Sequence, residues 1–241
     1  GIAWDSRKVQ PGDAFFALVG DNFDGHQFIL TAVEKGAAAV IGTRVPAPLD
    51  VPYVQIQGDD RIALAKFSAA FYDHPSRDVE VIHVTGNDGK TTVNNFIHPP
   101  LRTAGIRAGM ISTVNAVVGD ETLDTGFHTT TPEAHDIQRY LARMRDSGLT
   151  HVVLETTSHG LAQRRVAEVD YDLAAVTNVT HEHLDDYRTY QGYLQAKGLL
   201  FTALNHESTA MEKELEKLAV VNLDDESFPY LNKITRFKVL S

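Results

Sequence analysis

Short apolar runs alternate with segments whose apolar positions recur every three or four residues, and this alternation extends along most of the 241-residue chain. It predicts an α/β protein. Between Ala14 and Asp73, AFFALVG, AAAVIG and VPYVQI read as strands, and HQFILTAVEKG and DRIALAKFSAAFYD read as amphipathic helices. His74-Pro75-Ser76-Arg77-Asp78 then breaks the pattern, because proline disfavours helix at the residue before it. A boundary there gives a small N-terminal α/β domain, 1–77, and a larger domain, 78–241, with a mainly parallel sheet flanked by helices.

In the larger domain VEVIHVT leads into a helix from about Lys90, and AGMIST (108–113) follows as a strand. AVVGDETLDTG (116–126) predicts a hairpin, and Pro132 to Ser147 a helix. HVVLETT (151–157) and DLAAVTNV (172–179) predict strands, Tyr190 to Leu204 a helix, and Met211 to Leu218 a charged helical stretch. AVVNL (219–223) and ITRFKVL (234–240) predict closing strands. Pro99 and Pro100 fall inside the helix after Lys90, where each removes a donor and costs ~3 kcal/mol or more, so that helix is expected to kink or end early.

A hydrophobic share of 43% supports a packed core, and a net charge of −10 argues against a polynucleotide or anionic-membrane surface. No apolar run approaches the roughly 18 residues of a membrane span. The absence of cysteine removes thiolate chemistry and disulfides. These features predict an intracellular, cytoplasmic protein. A start at Gly1 rather than Met, and an end directly after ITRFKVL, predict a piece of a longer chain.

VEVIHVTGNDGKTT (79–92) joins a strand to a helix through a glycine-bracketed loop, which is phosphate chemistry. Gly86 and Gly89 let the loop turn its N–H groups towards an anion. Asn87, Asp88 and Thr92 complete the cradle, Lys90 supplies a charge for the β/γ-phosphates, and the Thr91 hydroxyl suits Mg²⁺. The spacing G-x-x-G-K-T is two residues shorter than the usual P-loop, with Val84 where its first glycine would stand.

In a parallel sheet ligands gather at the carboxyl ends of the strands. Glu155 ends one apolar strand and reads as a solvated turn residue on its own, or as a Mg²⁺ ligand beside a P-loop. Asn178, His181, His183 and Asp185 follow the next strand, where His-x-His places two rings on one face. Those histidines read equally as polar loop residues. By pattern alone Lys197 reads as a surface lysine on a helix.

Five blocks together resemble the Mur ligases, most closely the branch that adds the third peptide residue. They are DSRKVQPGDAFFALVGDNFDGHQFI (5–29), VTGNDGKTT (84–92), TTTPE (129–133), ETTSHGLAQRRV (155–166) and TNVTHEHLDDYRTYQGYLQAKGLLF (177–201). The short loop spacing is this family's own. The resemblance implies an ATP-dependent ligase of peptidoglycan precursor synthesis that converts the carboxylate of UDP-MurNAc-L-Ala-D-Glu into an acyl phosphate, which an amino acid then attacks. It implies Mg²⁺ on Thr91 and Glu155, a second Mg²⁺ on His183, and a carbamylated lysine at Lys197, whose burial should depress its pKa. Lys90 and Lys197 would act catalytically, with Asn178 also on the nucleotide.

Further blocks imply the acceptor site. Ser6 with the Asp21-Asn22-Phe23 turn matches residues that hold the uridine diphosphate, and Thr130, Thr131, Thr157, Gln163 and Arg165 match contacts to the muramoyl-peptide. TTTPE reads also as a helix start, with Thr131 capping, Pro132 at the first helical position and Glu133 in the first turn. Asn87 departs from the family's usual Thr, and Asp186-Tyr187 from a usual Tyr-His pair. The resemblance implies that the family's third domain, which supplies the amino-acid pocket, and the latter part of its central domain are absent from this sequence. Competing readings are a folylpolyglutamate synthase-like ligase and a fragment that binds without turnover.

Overall fold

The computed structural model describes residues 1–20, 23–44, 48–124, 131–180, 189–205 and 216–240. The chain forms two compact units, Gly1–Ser68 and Ala69–Ser241. In the first, β1 (Ile2–Ala3), β2 (Ala14–Ala17), β3 (Ala39–Gly42) and β4 (Tyr53–Gln55) make a parallel sheet in sequential order. A 3₁₀ turn, Gly25–Phe28, running into α1 (Ile29–Glu34) connects β2 to β3, and α2 (Asp60–Phe71), within which the units divide, follows β4. Successive β2 residues point opposite ways. Phe15 packs with Ile29, Ala32 and Val40, whereas Phe16 packs with Ile41 and Leu64, so both faces of the sheet are covered.

The second unit contains β5 (Glu80–Thr85), α3 (Lys90–Thr103), β6 (Ala108–Ile111), β7 (Asn115–Val118), β8 (Glu121–Asp124), α4 (Ala134–Asp146) and β9 (His151–Glu155). It continues with α5 (Ser158–Ala162), β10 (Leu173–Val176), α6 (Tyr190–Leu204), β11 (Leu218–Val220), α7 (Phe228–Ile234) and β12 (Lys238–Leu240). Sheet order is β12-β11-β10-β5-β9-β6-β7-β8, parallel from β12 to β6 and closed by the antiparallel hairpin β7-β8. The chain leaves β5 towards β6, returns to fill the gap with β9, then crosses to β10 on the opposite flank. That reversal opens a crevice at the carboxyl ends of β10, β5 and β9.

Alternation along the central strands divides the core. Val81, Val152, Leu154, Ala174 and Val176 pack with Ile137, Leu141 and Met144 of α4, Leu161 of α5, and Leu200, Phe201 and Leu204 of α6. Ile82, Val84, Met110, Val153 and Ala175 face Val93, Ile97 and Leu101 of α3. Among the described residues no helix is long and apolar enough to cross a membrane.

Several sequence expectations need correction. The helix after Lys90 does not end early at its prolines and continues to Thr103. Pro99, Pro100 and the residues whose carbonyls they leave unpaired, Asn95 and Phe96, are all exposed, so water can satisfy those groups. Of the stretch 211–218, residues 211–215 lie outside the described residues and Leu218 already begins β11. ITRFKVL is not one strand: Ile234 closes α7, which carries Pro229 in its first turn, and only Lys238–Leu240 extends. The TTTPE segment starts its helix two residues later than expected, at Ala134. Glu133 is the cap residue and makes no side-chain cap bond, its carboxylate pairing with Arg165, and the Thr131 hydroxyl meets Thr157 instead.

Candidate nucleotide and acceptor site

The turn out of β5 is held by the end of β10. Asn87 N–H donates to the Asn178 carbonyl (2.9 Å) and to its Oδ1 (3.1 Å), and Asp88 N–H donates to the same Oδ1 (3.0 Å). Thr177 Oγ1 donates to the Asp88 carbonyl at 2.6 Å. Asn178 thus braces the loop and occupies two of the N–H groups that the sequence assigns to the anion. Those left for a phosphate belong to the start of α3, where the first four N–H groups lack intrahelical acceptors.

Both loop glycines are needed, for different reasons. Gly86 has φ of +149°, and a Cβ there would lie 1.9 Å from Thr177 Oγ1. Gly89, at φ +77°, caps α3 in the left-handed region with open space around it.

Lys90, the first residue of α3, folds back so that its Nζ donates to the Asn87 carbonyl at 2.7 Å. One residue on, Thr91 Oγ1 donates to the Glu155 carboxylate at 2.9 and 3.1 Å. Thr92 is exposed. Glu155 is 1% exposed at the end of β9 and accepts two further bonds from Thr113, from Oγ1 at 2.7 Å and N–H at 3.2 Å. A buried carboxylate ringed by hydroxyls supplies the hard oxygen donors that Mg²⁺ takes, so Thr91 and Glu155 fit that ion. Sequence reasoning did not single out Thr113. It follows β6, the neighbour of β9, and the strand-end rule that located Glu155 applies to it equally.

Lys197 is not on the surface. It is 1% exposed on α6, its Nζ donates to the Gly86 carbonyl at 2.6 Å, and the ring centroid of Tyr193 lies 4.7 Å away. Burial, reinforced by the Lys90 charge and partly offset by Asp88, pushes its amine down to about 7. Beneath the loop, His83 on β5 bonds Thr156 Oγ1 through Nε2, while Nδ1 has no partner. Burial drives this imidazole down to about 3, which keeps it neutral.

Two residues after Glu155, Thr157 belongs to a second cluster. Thr157 N–H donates to Thr131 Oγ1 (3.1 Å), the two hydroxyls lie 3.1 Å apart, and Thr157 Oγ1 caps α5 at Gly160 N–H (3.0 Å). Arg165 donates to the Thr131 carbonyl, to Gln163 Oε1 at 2.7 Å and to Glu133 at 3.0 Å. Its charge is therefore already paired. In the first unit Ser6 is buried in the turn after β1, whereas Phe23 is 72% exposed.

Asp21, Asn22, Thr130, His181, His183 and Asp185 lie outside the described residues. Among the described residues no three His, Cys, Asp or Glu side chains gather around a common point. The structure therefore joins Lys90, Thr91, Glu155, Asn178 and Lys197 around one loop, and Thr131, Thr157, Gln163 and Arg165 in a second group.

Residues 84–240 match the Mur ligase middle domain and residues 1–73 match the Mur ligase family catalytic domain. The chain belongs to the Mur ligase family. It is 40% identical over 240 residues to the UDP-N-acetylmuramoyl-L-alanyl-D-glutamate--2,6-diaminopimelate ligase of Geobacillus kaustophilus (strain HTA426), covering 100% of this chain and 48% of that protein. To the UDP-N-acetylmuramyl-tripeptide synthetase of Treponema pallidum (strain Nichols) it is 39% identical over 242 residues, covering 97% of this chain and 44% of that one. The chain thus spans about half the length of the curated relatives it matches. A solved 2,6-diaminopimelate ligase superposes with a TM-score of 0.79 at 27% identity, covering 100% of this chain and 47% of the other. A folylpolyglutamate synthase of Mycobacterium tuberculosis reaches 0.55 at 13% identity over 74% of this chain and 46% of its own, a likeness of fold alone.

Proposed function

We propose that this chain carries the precursor- and nucleotide-binding parts of an ATP-dependent ligase that adds an amino acid to UDP-MurNAc-L-Ala-D-Glu, a cytoplasmic step of peptidoglycan precursor synthesis. The observation that carries this reading is Glu155 paired with Thr91 beside Lys90, at adjacent strand ends. The diaminopimelate ligases among its relatives make diaminopimelate the first amino acid to test. We assign precursor binding to 1–77 and nucleotide binding to 78–241, with the boundary within the His74–Asp78 turn.

A carboxylate resists attack by an amine, so the reaction begins with its oxygen attacking the γ-phosphorus of ATP and releasing ADP. The amine then attacks the acyl carbon, inorganic phosphate leaves, and the amine loses a proton. In this scheme the α3 N-terminus and Lys90 bind and orient the phosphates and offset the charge that gathers on them. Thr91 and Glu155 would hold a Mg²⁺, with His183 the candidate for a second; bound there, the ion supplies charge neutralisation. Lys197 suits carbamylation because a depressed pKa leaves part of the amine neutral, the form that adds to CO₂. The Thr131–Thr157–Gln163–Arg165 group receives the acceptor's peptide side, Arg165 exchanging its Glu133 partner for an anionic group. Ser6, Asp21, Asn22 and Phe23 receive the uridine diphosphate.

Calorimetric titration of the 241-residue chain tests this directly. Mg·ADP and UDP-MurNAc-dipeptide should each bind, with little phosphate release when ATP and diaminopimelate are added, because the chain spans about half of its relatives. Lys90→Ala should abolish nucleotide binding and leave precursor affinity nearly intact. Failure of the unsubstituted chain to bind the precursor, or parallel loss of both ligands in Lys90→Ala, would overturn the assignment.

A further inference from the structure

Asn87 is where three parts of the nucleotide site meet. Its N–H is held by Asn178 at the end of β10, its carbonyl accepts Lys90 Nζ at 2.7 Å, and its Oδ1 accepts the hydroxyl of Tyr193. Tyr193 lies on α6 one turn before Lys197, and both side chains are 1% exposed. The helix therefore grips consecutive loop residues at two points, Gly86 through Lys197 and Asn87 through Tyr193. A loop built from glycines is soft, and a side-chain amide pinned from behind removes much of its freedom to rotate. The pin matters because the peptide it fixes carries the carbonyl that docks Lys90.

We propose that Tyr193 is a positioning residue of the nucleotide site: acting through Asn87 Oδ1, it sets where the Lys90 ammonium meets a β/γ-phosphate. This rests on the nucleotide-binding reading above, and it gives α6 a role separate from the chemistry of Lys197. Tyr193→Phe isolates it, because the ring that packs against Lys197 stays and only the hydroxyl goes.

The test is titration of the 241-residue chain with Mg·ADP, and separately with UDP-MurNAc-dipeptide, across four variants. Tyr193→Phe should weaken Mg·ADP about three- to tenfold, the size of one hydrogen bond's contribution, and leave precursor binding unchanged. Asn87→Ala removes the same bond from the loop side and should weaken it similarly, which keeps the test valid should Tyr193→Phe fold poorly. The double variant should lose little more than either single one. Tyr171→Phe is the control: that tyrosine is also buried, but its hydroxyl bonds the Val166 carbonyl, so the variant should melt earlier with its Mg·ADP affinity unchanged.

Undiminished Mg·ADP affinity in Tyr193→Phe, additive losses in the double variant, or an equal loss in Tyr171→Phe would each overturn the proposal while the ligase reading stands. No Mg·ADP binding by the unsubstituted chain would overturn both.

Discussion

Lys197 shows how far a residue's meaning depends on what covers it. The buried positions of α6 include Tyr193, Lys197, Leu200 and Leu204, a helical stripe that contains the lysine. Its folded pKa of about 7 lies below the ordinary 10.5, so between those values the unfolded chain binds the extra proton and stability must rise with pH. Over that window the group adds a slope of up to ~1.4 kcal/mol per pH unit, and Lys197→Met should remove it. Urea unfolding at several pH values from 7 to 10 checks this. Parallel curves for the two proteins would show that the lysine keeps its proton when folded. Lys90, Thr91 and Glu155 were legible because a motif and a strand end identify them locally. Thr113 and Tyr193 were not, since their partners are set by β6 lying beside β9 and by α6 packing behind the loop, which no local pattern records.

At the scale of elements, the P-loop is a strand end, two glycines and a helix start, and the glycines make unequal demands. Gly89→Ala places a Cβ in open space at positive φ and should cost about 1–2 kcal/mol. Gly86→Ala adds to its backbone strain a collision at 1.9 Å with Thr177 Oγ1, the hydroxyl that holds Asp88, and should cost roughly 3 kcal/mol or more. Thermal unfolding of both variants should rank them in that order, and Thr177→Ala should recover part of the Gly86→Ala loss. Equal losses, or no recovery, would mean that β10 does not press on the loop. Most strands and long helices could be read from periodicity, because each buries one regular stripe or face. β1, α5 and α7 could not: two residues, five residues and a helix that begins at Phe228-Pro229 are too short for a period to register. In α3 the early end expected at its prolines does not occur, because the carbonyls they leave unpaired are exposed to water.

At the scale of the whole molecule, each unit has its own core: Phe15, Ile29 and Val40 belong to one, Val81, Leu154, Leu200 and Phe201 to the other. The proposed phosphate site lies wholly in residues 69–241 and the proposed uridine diphosphate residues in 1–68, so the two ligands should act on different folding units. A ligand held only by the folded state stabilises it by about 2.7 kcal/mol at a hundred times its Kd. For a unit of the larger one's size that corresponds to a rise in midpoint of about 5–10 °C. Differential scanning calorimetry with Mg·ADP, and separately with UDP, should therefore show two transitions, the nucleotide raising the one with the larger enthalpy and UDP the other. A single transition raised by either ligand would mean that the two cores unfold together. Mg·ADP raising only the smaller transition would remove the phosphate site from the β5–α3 loop, and with it the reason for reading Lys90 and Glu155 as partners in one reaction.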